Sequence, residues 1–226
     1  MPRAFYNDPV AENTLNIVGV VDAATQVLRT KIVDGTLAGN TAVTEAWVSA
    51  ELGIARPSAK AAIEQLVATG LLVRTAHRSA RVCAIDTAMV RDVYRTRARL
   101  ETTAVRELAA DAFAPKEAVE ANSHIAAMAP GSNPATVEHD IHFHTALVDA
   151  IGSERISRMY RTLLDESRLC MAQVQNRELL NAHDIAAQHN GILQAIRDSD
   201  ENHAVSLLQE HLRAAEERLI DAINTQ

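Results

Sequence analysis

The sequence predicts a mainly α-helical fold in two parts. Aromatic residues are 3% of the 226, and Gly and Pro number only 8 and 6, whereas all-β folds need many turns rich in Gly and Pro. Hydrophobic residues reach 47%, enough for a sizeable core and too many for a disordered chain. From residue 87 onward, apolar residues recur at helical spacing in six stretches: 87–112, 115–128, 134–151, 154–175, 182–198 and 201–223.

Charge is distributed unevenly between the two parts. The net charge is −7, yet residues 1–86 hold 8 basic and 8 acidic side chains, whereas residues 87–226 hold 14 and 21. The acidic total therefore does not exclude a nucleic-acid partner. Residues 56–81 even have a basic excess, which fits phosphate contact or an ordinary solvated surface. They contain one acid, Glu64, and five bases: Arg56, Lys60, Arg74, Arg78 and Arg81.

The sequence predicts a cytoplasmic protein with no membrane partner. Its N-terminus does not resemble a signal peptide, and no apolar run approaches the ~18 residues of a membrane span. Two cysteines, Cys83 and Cys170, do not form a disulfide framework, and we interpret both as small packed hydrophobes.

The N-terminal part follows the order of a winged helix-turn-helix. After a loose arm at 1–12, we assign residues 13–86 to one domain, with a first helix over Val20–Val33 that stops at Asp34-Gly35. A second helix, capped by Thr44, is predicted to run to Leu52 and to end at Gly53. A third begins around Ala55-Arg56-Pro57 and ends at Gly70, and the strands 71–75 and 81–85 follow, joined by a basic turn.

The third helix is the predicted recognition helix. Its apolar side can pack on the preceding helix, so its polar N-terminal end is available to enter a major groove. Backbone N–H groups there favour phosphate, Arg and Lys can address guanine edges, and the wing adds backbone or minor-groove contacts. The expected DNA-contacting residues are Thr44, Glu45, Arg56, Pro57, Ser58, Lys60, His77, Arg78 and Arg81.

The second part, residues 87–226, contains a candidate metal site. Asp140 and His144 lie one helical turn apart on the apolar stripe of the third bundle helix, and a buried aspartate needs a partner or a metal. His189 and His211 have the same inward position on two other helices. Each histidine alone fits an ordinary core residue, but one carboxylate and three imidazoles together suit Zn, Ni, Mn or Fe. His139 and His142 are expected to face solvent.

Both parts resemble known families. The stretch TEAWVSAELGIARPSAKAAIEQLVATGLL and the later HRSARV are similar to the DNA-binding domain of GntR transcription regulators, with departures at Ala55, Lys60, Ala61 and Ser79. The stretches DIHFHTALVDAIGS, QHNGILQAIRDSD and QEHL resemble the FCD effector-binding domain of the FadR subfamily. For its metal-binding members, the resemblance implies the ligands Asp140, His144, His189 and His211. We expect zinc at this site, with nickel, manganese or iron as the alternatives that suit the same donors.

The resemblance further implies a homodimeric regulator that binds a double-stranded DNA operator and is controlled by a small organic acid. Within RARLETTAVRELAA, the arginine at the family's effector-facing position is Arg97, which could equally form a salt bridge with Glu101 four residues on. Arg168 is a second effector-binding candidate with no motif behind it.

Two other functions remain open. A metal-dependent hydrolase could use open metal positions to activate water, but the sequence has no HExxH pairing and no carboxylate clearly placed as general base. Alternatively, the bundle could hold an acyl or aromatic effector without a metal, although such a pocket has no use for four inward polar residues.

Overall fold

The computed structural model describes residues 19–75, 78–128, 134–172 and 181–225. The predicted arm at 1–12, His77 in the wing turn and the loop at 129–133 lie outside these residues. Within the described ranges, no helix combines the length and the apolar character that a membrane crossing requires.

Between residues 19 and 75, the N-terminal part has three helices: α1 (Val20–Val33), α2 (Glu45–Leu52) and α3 (Arg56–Ala68). The hydroxyl of Thr44 caps α2 by accepting a hydrogen bond from the backbone N–H of Trp47 at 3.1 Å. The helix ends at Gly53, whose φ of 63° is the left-handed conformation that glycine adopts without strain. The helix-turn-helix predicted from sequence is confirmed.

A three-stranded antiparallel sheet completes this part. The strands β1 (Ala42–Val43), β2 (Leu72–Val73) and β3 (Ala80–Val82) have the order β1-β3-β2. The two wing strands are shorter than predicted. The sequence analysis missed β1, because two residues are too few to show an alternating pattern.

In the described part of residues 87–225, six helices form the C-terminal bundle, and the fold class predicted for it is confirmed. Its central helix is α4, which packs against four of the others, α6 to α9. Side chains of Asp86, Asn181 and Asp200 cap α4, α8 and α9. The helices are α4 (Thr87–Ala110), α5 (Lys116–Ala126), α6 (Pro134–Asp149), α7 (Glu154–Ala172), α8 (Ala182–Arg197) and α9 (Glu201–Asn224).

Each part has its own hydrophobic core. Leu28, Ile63 and Leu66 are fully buried in the core of the winged part, while Tyr94 and Phe143 are buried in that of the bundle. The cores meet at α7: its Leu169 is fully buried in the core of the winged part. The two parts are therefore packed on each other through a bundle helix.

Candidate metal centre and nucleic-acid interface

The four residues proposed as metal ligands converge at one buried point in the bundle. Asp140 and His144 come from α6, His189 from α8 and His211 from α9, and all four are buried. One ligand atom from each residue lies within 4.8 Å of all the others. Three helices thus present one carboxylate oxygen and three imidazole nitrogens to a common position.

The spacing of these atoms fits a transition metal. His211 Nε2 lies 3.1 Å from His144 Nε2 and 3.4 Å from His189 Nε2. Asp140 Oδ1 is 3.4 Å from His189 Nε2 and 3.8 Å from the Nε2 atoms of the other two histidines. Tetrahedral zinc with Zn–N bonds of ~2.0–2.1 Å places neighbouring ligand atoms about 3.4 Å apart. The donor set and its spacing therefore fit the transition-metal ion that the resemblance implies.

Hydrogen bonds behind the cluster fix two of the imidazole tautomers. His144 Nδ1 lies 2.6 Å from Glu101 Oε2, and His211 Nδ1 lies 2.8 Å from Gln188 Oε1. Both partners are acceptors, so each Nδ1 carries the proton and each Nε2 is left with a lone pair. These two lone pairs face one another at 3.1 Å, which is repulsive unless a cation or proton lies between them.

Burial keeps His189 and His211 in the form that binds metal. Desolvation lowers the pKa of His189 to about 4 and the pKa of His211 well below its ordinary value, so both are neutral near pH 7. The ring of His189 stacks on Phe143, with centroids 3.6 Å apart and an interplanar angle of 5°. Its Nδ1 has no hydrogen-bond partner among the described residues.

Glu101 forms hydrogen bonds with three residues of the polar network behind the cluster. Besides His144, its carboxylate accepts hydrogen bonds from Tyr160 Oη at 2.6 Å and from Arg97 Nε at 2.9 Å. Burial alone would raise its pKa, but the interaction with His144, the charge of Arg97 and the hydrogen bond from Tyr160 lower the pKa to about 2. Glu101 is therefore an ionised carboxylate, although none of its surface is exposed.

In the structure, Arg97 has features of both roles that the sequence allows, the salt bridge and the effector contact. It forms the predicted salt bridge with Glu101, and its Nη1 donates to Ser167 Oγ at 3.2 Å. It is also 1% exposed, packs over the ring of Tyr94, and has an Nη2 without a hydrogen-bond partner in the described ranges. This unused donor lies in the bundle interior.

The structure does not bring Arg168 to the cluster. Its guanidinium pairs with Glu138 and Asp165 and lines a cavity between α1, α6 and α7. The reason is helical register: Ser167 points toward Arg97, and the next residue is turned about 100° away. We therefore leave Arg168 out of the proposed effector site.

The N-terminal end of α3 presents polar side chains outward. Arg56, Pro57 and Lys60 are exposed and Ser58 is partly exposed. On the opposite side of the helix, Ala59, Ala62, Ile63 and Leu66 are buried. The helix thus has the one free polar face that groove entry requires.

The remaining predicted DNA contacts have different surroundings. Thr44 is occupied as the cap of α2, and Glu45 is half-buried in its first turn. Arg78 is exposed at the wing, while exposed Arg81 donates from Nη1 to the backbone carbonyl of Asn40 at 2.7 Å. Both arginines lie on the wing that carries β3.

Sequence reasoning missed three residues that support the cluster. The sequence predicts Glu101 only as a partner for Arg97, although an acid on an inward apolar stripe is itself a signal. Tyr160 and Gln188 carried no signal, because nothing in a single sequence shows which residues on different helices meet.

The two histidines expected to face solvent have different surroundings. His142 is exposed as expected, but His139 is partly covered, and the centroid of its ring lies 4.8 Å from that of His124.

Neither cysteine is in a disulfide. Cys170 is buried, and burial raises the pKa of its thiol to about 12. Cys83 is half-buried and packs against Met89, and its pKa is raised as well, chiefly by burial. These properties fit small packed side chains.

Comparison with solved structures finds the same fold in other proteins. A Rhodococcus sp. RHA1 protein described as a transcriptional regulator GntR has a TM-score of 0.71 at 22% identity, covering 89% of this chain and 97% of its own. E. coli McbR/YncC has the same TM-score at 15% identity, with 91% and 99% coverage. The Zn²⁺-bound FCD domain of TM0439 has a TM-score of 0.53 at 21% identity, covering 63% and 99%.

Comparison with family models covers both parts of the chain. The model described as bacterial regulatory proteins, gntR family, matches residues 21–82. The model of the FCD domain matches residues 92–214. No curated protein matches the sequence significantly. The winged helix-turn-helix and the helical bundle are the two domains these models describe, and the chain therefore belongs to the GntR family of bacterial regulatory proteins, with an FCD domain as its C-terminal half.

Proposed function

We propose that this regulator binds an operator as a homodimer and that a small carboxylate held at a transition-metal site in the FCD domain controls its affinity for DNA. The proposed ligands are Asp140, His144, His189 and His211, and zinc is the first candidate, ahead of nickel, manganese and iron. The zinc-bound FCD domain of TM0439, which shares the fold, supports this assignment.

One observation carries the metal assignment: the Nε2 lone pairs of His144 and His211 face each other at 3.1 Å. Their tautomers are fixed by Glu101 and Gln188, so neither neutral imidazole can turn its proton toward the other without losing a buried hydrogen bond. A divalent cation removes this repulsion and would supply open coordination positions for a carboxylate.

The chain contributes a counter-charge for that carboxylate. Arg97 is fixed by Glu101 and Ser167, which occupy Nε and Nη1 and leave Nη2 as a buried donor. A buried guanidinium whose Nη2 has no hydrogen-bond partner among the described residues is suited to a charge-assisted hydrogen bond with an anion. An anionic effector is therefore favoured over a neutral or cationic one.

DNA recognition is assigned to the exposed residues of α3 and the wing. Arg56 and Lys60 are exposed at the end of α3 where backbone N–H groups favour phosphate. Arg78 and Arg81 extend this basic surface at the wing. The acidic charge lies in the other half of the chain, so non-specific DNA binding should be weak and base contacts correspondingly important.

The alternative functions have less support. Family membership implies a regulator, and the carboxylate behind His144 is held by three donors, which leaves Glu101 poorly suited as the general base of a hydrolase. A metal-free acyl pocket would not bury one aspartate and three histidines against one another.

A thermal-shift screen tests the proposal. The full chain is stripped of metal and then measured with small mono- and dicarboxylates, each with and without Zn²⁺. Because a ligand that binds only the folded state raises the melting temperature, Zn²⁺ should raise it alone, and some carboxylates should raise it further only when Zn²⁺ is present. Carboxylates that act equally without Zn²⁺ would contradict the metal-centred site.

An Arg97→Lys variant serves as the matched test of the counter-charge. It keeps one positive charge but removes the forked donor geometry. We expect the shift due to Zn²⁺ to persist while the additional carboxylate shift falls. Equal carboxylate shifts in both proteins would remove Arg97 from the effector site.

A further inference from the structure

Helix α7 contacts both halves of the protein within one helical turn. Its Asp165 forms an ion pair with Arg29 of α1. Its Leu169 is fully buried in the core of the winged domain. Between them, Ser167 is fully buried and faces the bundle interior, where it accepts a hydrogen bond from Arg97.

Glu166 extends this contact to the turn after the recognition helix. Gly70 ends that turn with a φ of +78°, and a Cβ on Gly70 would lie 2.5 Å from Glu166 Oε1. The carboxylate therefore lies directly against the backbone that joins α3 to β2. Residues of α7 thus touch both the first helix and the recognition-helix turn of the DNA-binding domain.

The proposed metal cluster reaches α7 by two continuous routes. From His144, both pass through Glu101, whose carboxylate lies 2.6 Å from His144 Nδ1. One continues directly to Tyr160 of α7, whose hydroxyl donates to Glu101 at 2.6 Å. The other passes through Arg97, 2.9 Å from Glu101 and 3.2 Å from Ser167. Every polar contact along these routes is buried, where hydrogen bonds are costly to break.

We infer that α7 is the element that couples the FCD site to the DNA-binding domain, an inference that rests on the metal site proposed above. Occupancy of the cluster fixes His144 and Glu101, and through Tyr160 and Ser167 it fixes the rotation and height of α7. Since Ser167 lies two residues from both Asp165 and Leu169, a rigid helix carries any shift of Ser167 to both contacts. Interface helices move by about 1–2 Å in such transitions, enough to break the ion pair with Arg29.

Hydrogen exchange of the full chain, with Zn²⁺ as the probe, tests this inference. In the wild type, Zn²⁺ should slow exchange in α6, α8 and α9, and also in α1 and the turn at 69–72. Coupling between sites is typically about 5–150-fold, so a fivefold slowing in α1 is expected. Slowing in the ligand-bearing helices without any change in α1 would overturn the coupling and leave the metal site standing. No slowing anywhere would overturn the metal site and, with it, the coupling.

Variants then locate the route. In both Ser167→Ala and Asp165→Asn, the ligand-bearing helices should keep their response to Zn²⁺. Ser167→Ala removes one of the two routes and should weaken the response of α1 and the turn, whereas Asp165→Asn removes the ion pair with Arg29 and should abolish the response of α1. Asp165→Glu keeps the charge and should restore the response. Arg161→Gln is the matched control: it breaks an exposed ion pair of α7 with Asp149 that does not involve the winged domain, and its response should equal that of the wild type.

Arg29→Gln provides a second approach from the other side of the interface, should a change in α7 unfold the bundle. It removes the partner of Asp165 without altering any bundle residue, so the α1 response to Zn²⁺ should again be lost. If α1 responds equally in Ser167→Ala, Asp165→Asn, Arg29→Gln and the wild type, α7 does not carry the coupling.

Discussion

The substitution Glu101→Gln tests the network behind the metal cluster with little change in volume. Glu101 Oε1 accepts from Arg97 and Tyr160, and Oε2 accepts from His144. Glutamine has one acceptor oxygen, which the two donors on the Oε1 side retain. Its NH₂ group then faces His144 Nδ1, so two donors oppose each other unless the His144 proton moves to Nε2.

That proton transfer removes one lone pair from the cluster. Loss of a hydrogen bond behind a metal ligand typically lowers metal affinity by about 10–100-fold, equivalent to about 1.4–2.7 kcal/mol. The substitution also removes the counter-charge of Arg97, which is 1% exposed. Leaving a buried charge unpaired costs about 3–5 kcal/mol of unfolding free energy.

Competition between the metal-free protein and a chromophoric chelator measures the first effect, and chemical denaturation followed by circular dichroism measures the second. Glu107→Gln removes the same charge from an exposed position on α4 and should change neither quantity appreciably. Glu101→Gln with wild-type zinc affinity in a folded protein would refute the tautomer argument.

Three further predictions concern neighbouring parts of the structure. Tyr160→Phe removes one hydrogen bond to the buried Glu101 carboxylate and should lower the free energy of unfolding by about 1.5–3 kcal/mol; an unchanged denaturation midpoint would contradict this. Arg56→Ala and Lys60→Ala should weaken operator binding in a gel shift without altering circular dichroism, whereas Lys116→Ala, 81% exposed on the FCD domain, should bind normally; equal affinities would move the recognition surface elsewhere. Gly70→Ala should destabilise the protein more than Gly53→Ala. Both glycines have a positive φ, which costs an alanine roughly 1–2 kcal/mol, but only the Cβ at position 70 meets Glu166. If the two alanine variants still differ in stability by the same amount when Glu166 is also replaced by Ala, the steric account is contradicted.

Local patterns were sufficient to predict the helices and the inward-facing residues. The stripe containing Asp140 and His144, and the stripes of His189 and His211, follow from 3.6-residue periodicity, and all four residues are buried together. Similarly, the cap at Thr44 and the stop at Gly53 depend only on adjacent residues. Helices, caps and buried faces that depend only on neighbouring residues can therefore be predicted from a single sequence.

Features that depend on contacts between distant residues could not be predicted in this way. Gln188 meets His211 and Tyr160 meets Glu101 only because four helices pack around α4. Strand β1 has two residues and forms because β3 lies beside it. For Arg97, the sequence allows either a salt bridge or an effector contact. In the structure the guanidinium forms the salt bridge with Glu101 and still has Nη2 without a hydrogen-bond partner among the described residues.

Metal content is the most direct test of the central claim, that Asp140, His144, His189 and His211 form a transition-metal site. The full chain is purified without a histidine tag, equilibrated with Zn²⁺, desalted and analysed for metal, beside His189→Ala, His211→Ala and the exposed control His142→Ala. The account predicts one equivalent per chain in the wild type and the control, and loss of that equivalent in the two cluster variants. A wild-type chain without stoichiometric metal, or cluster variants that retain it, would contradict the account.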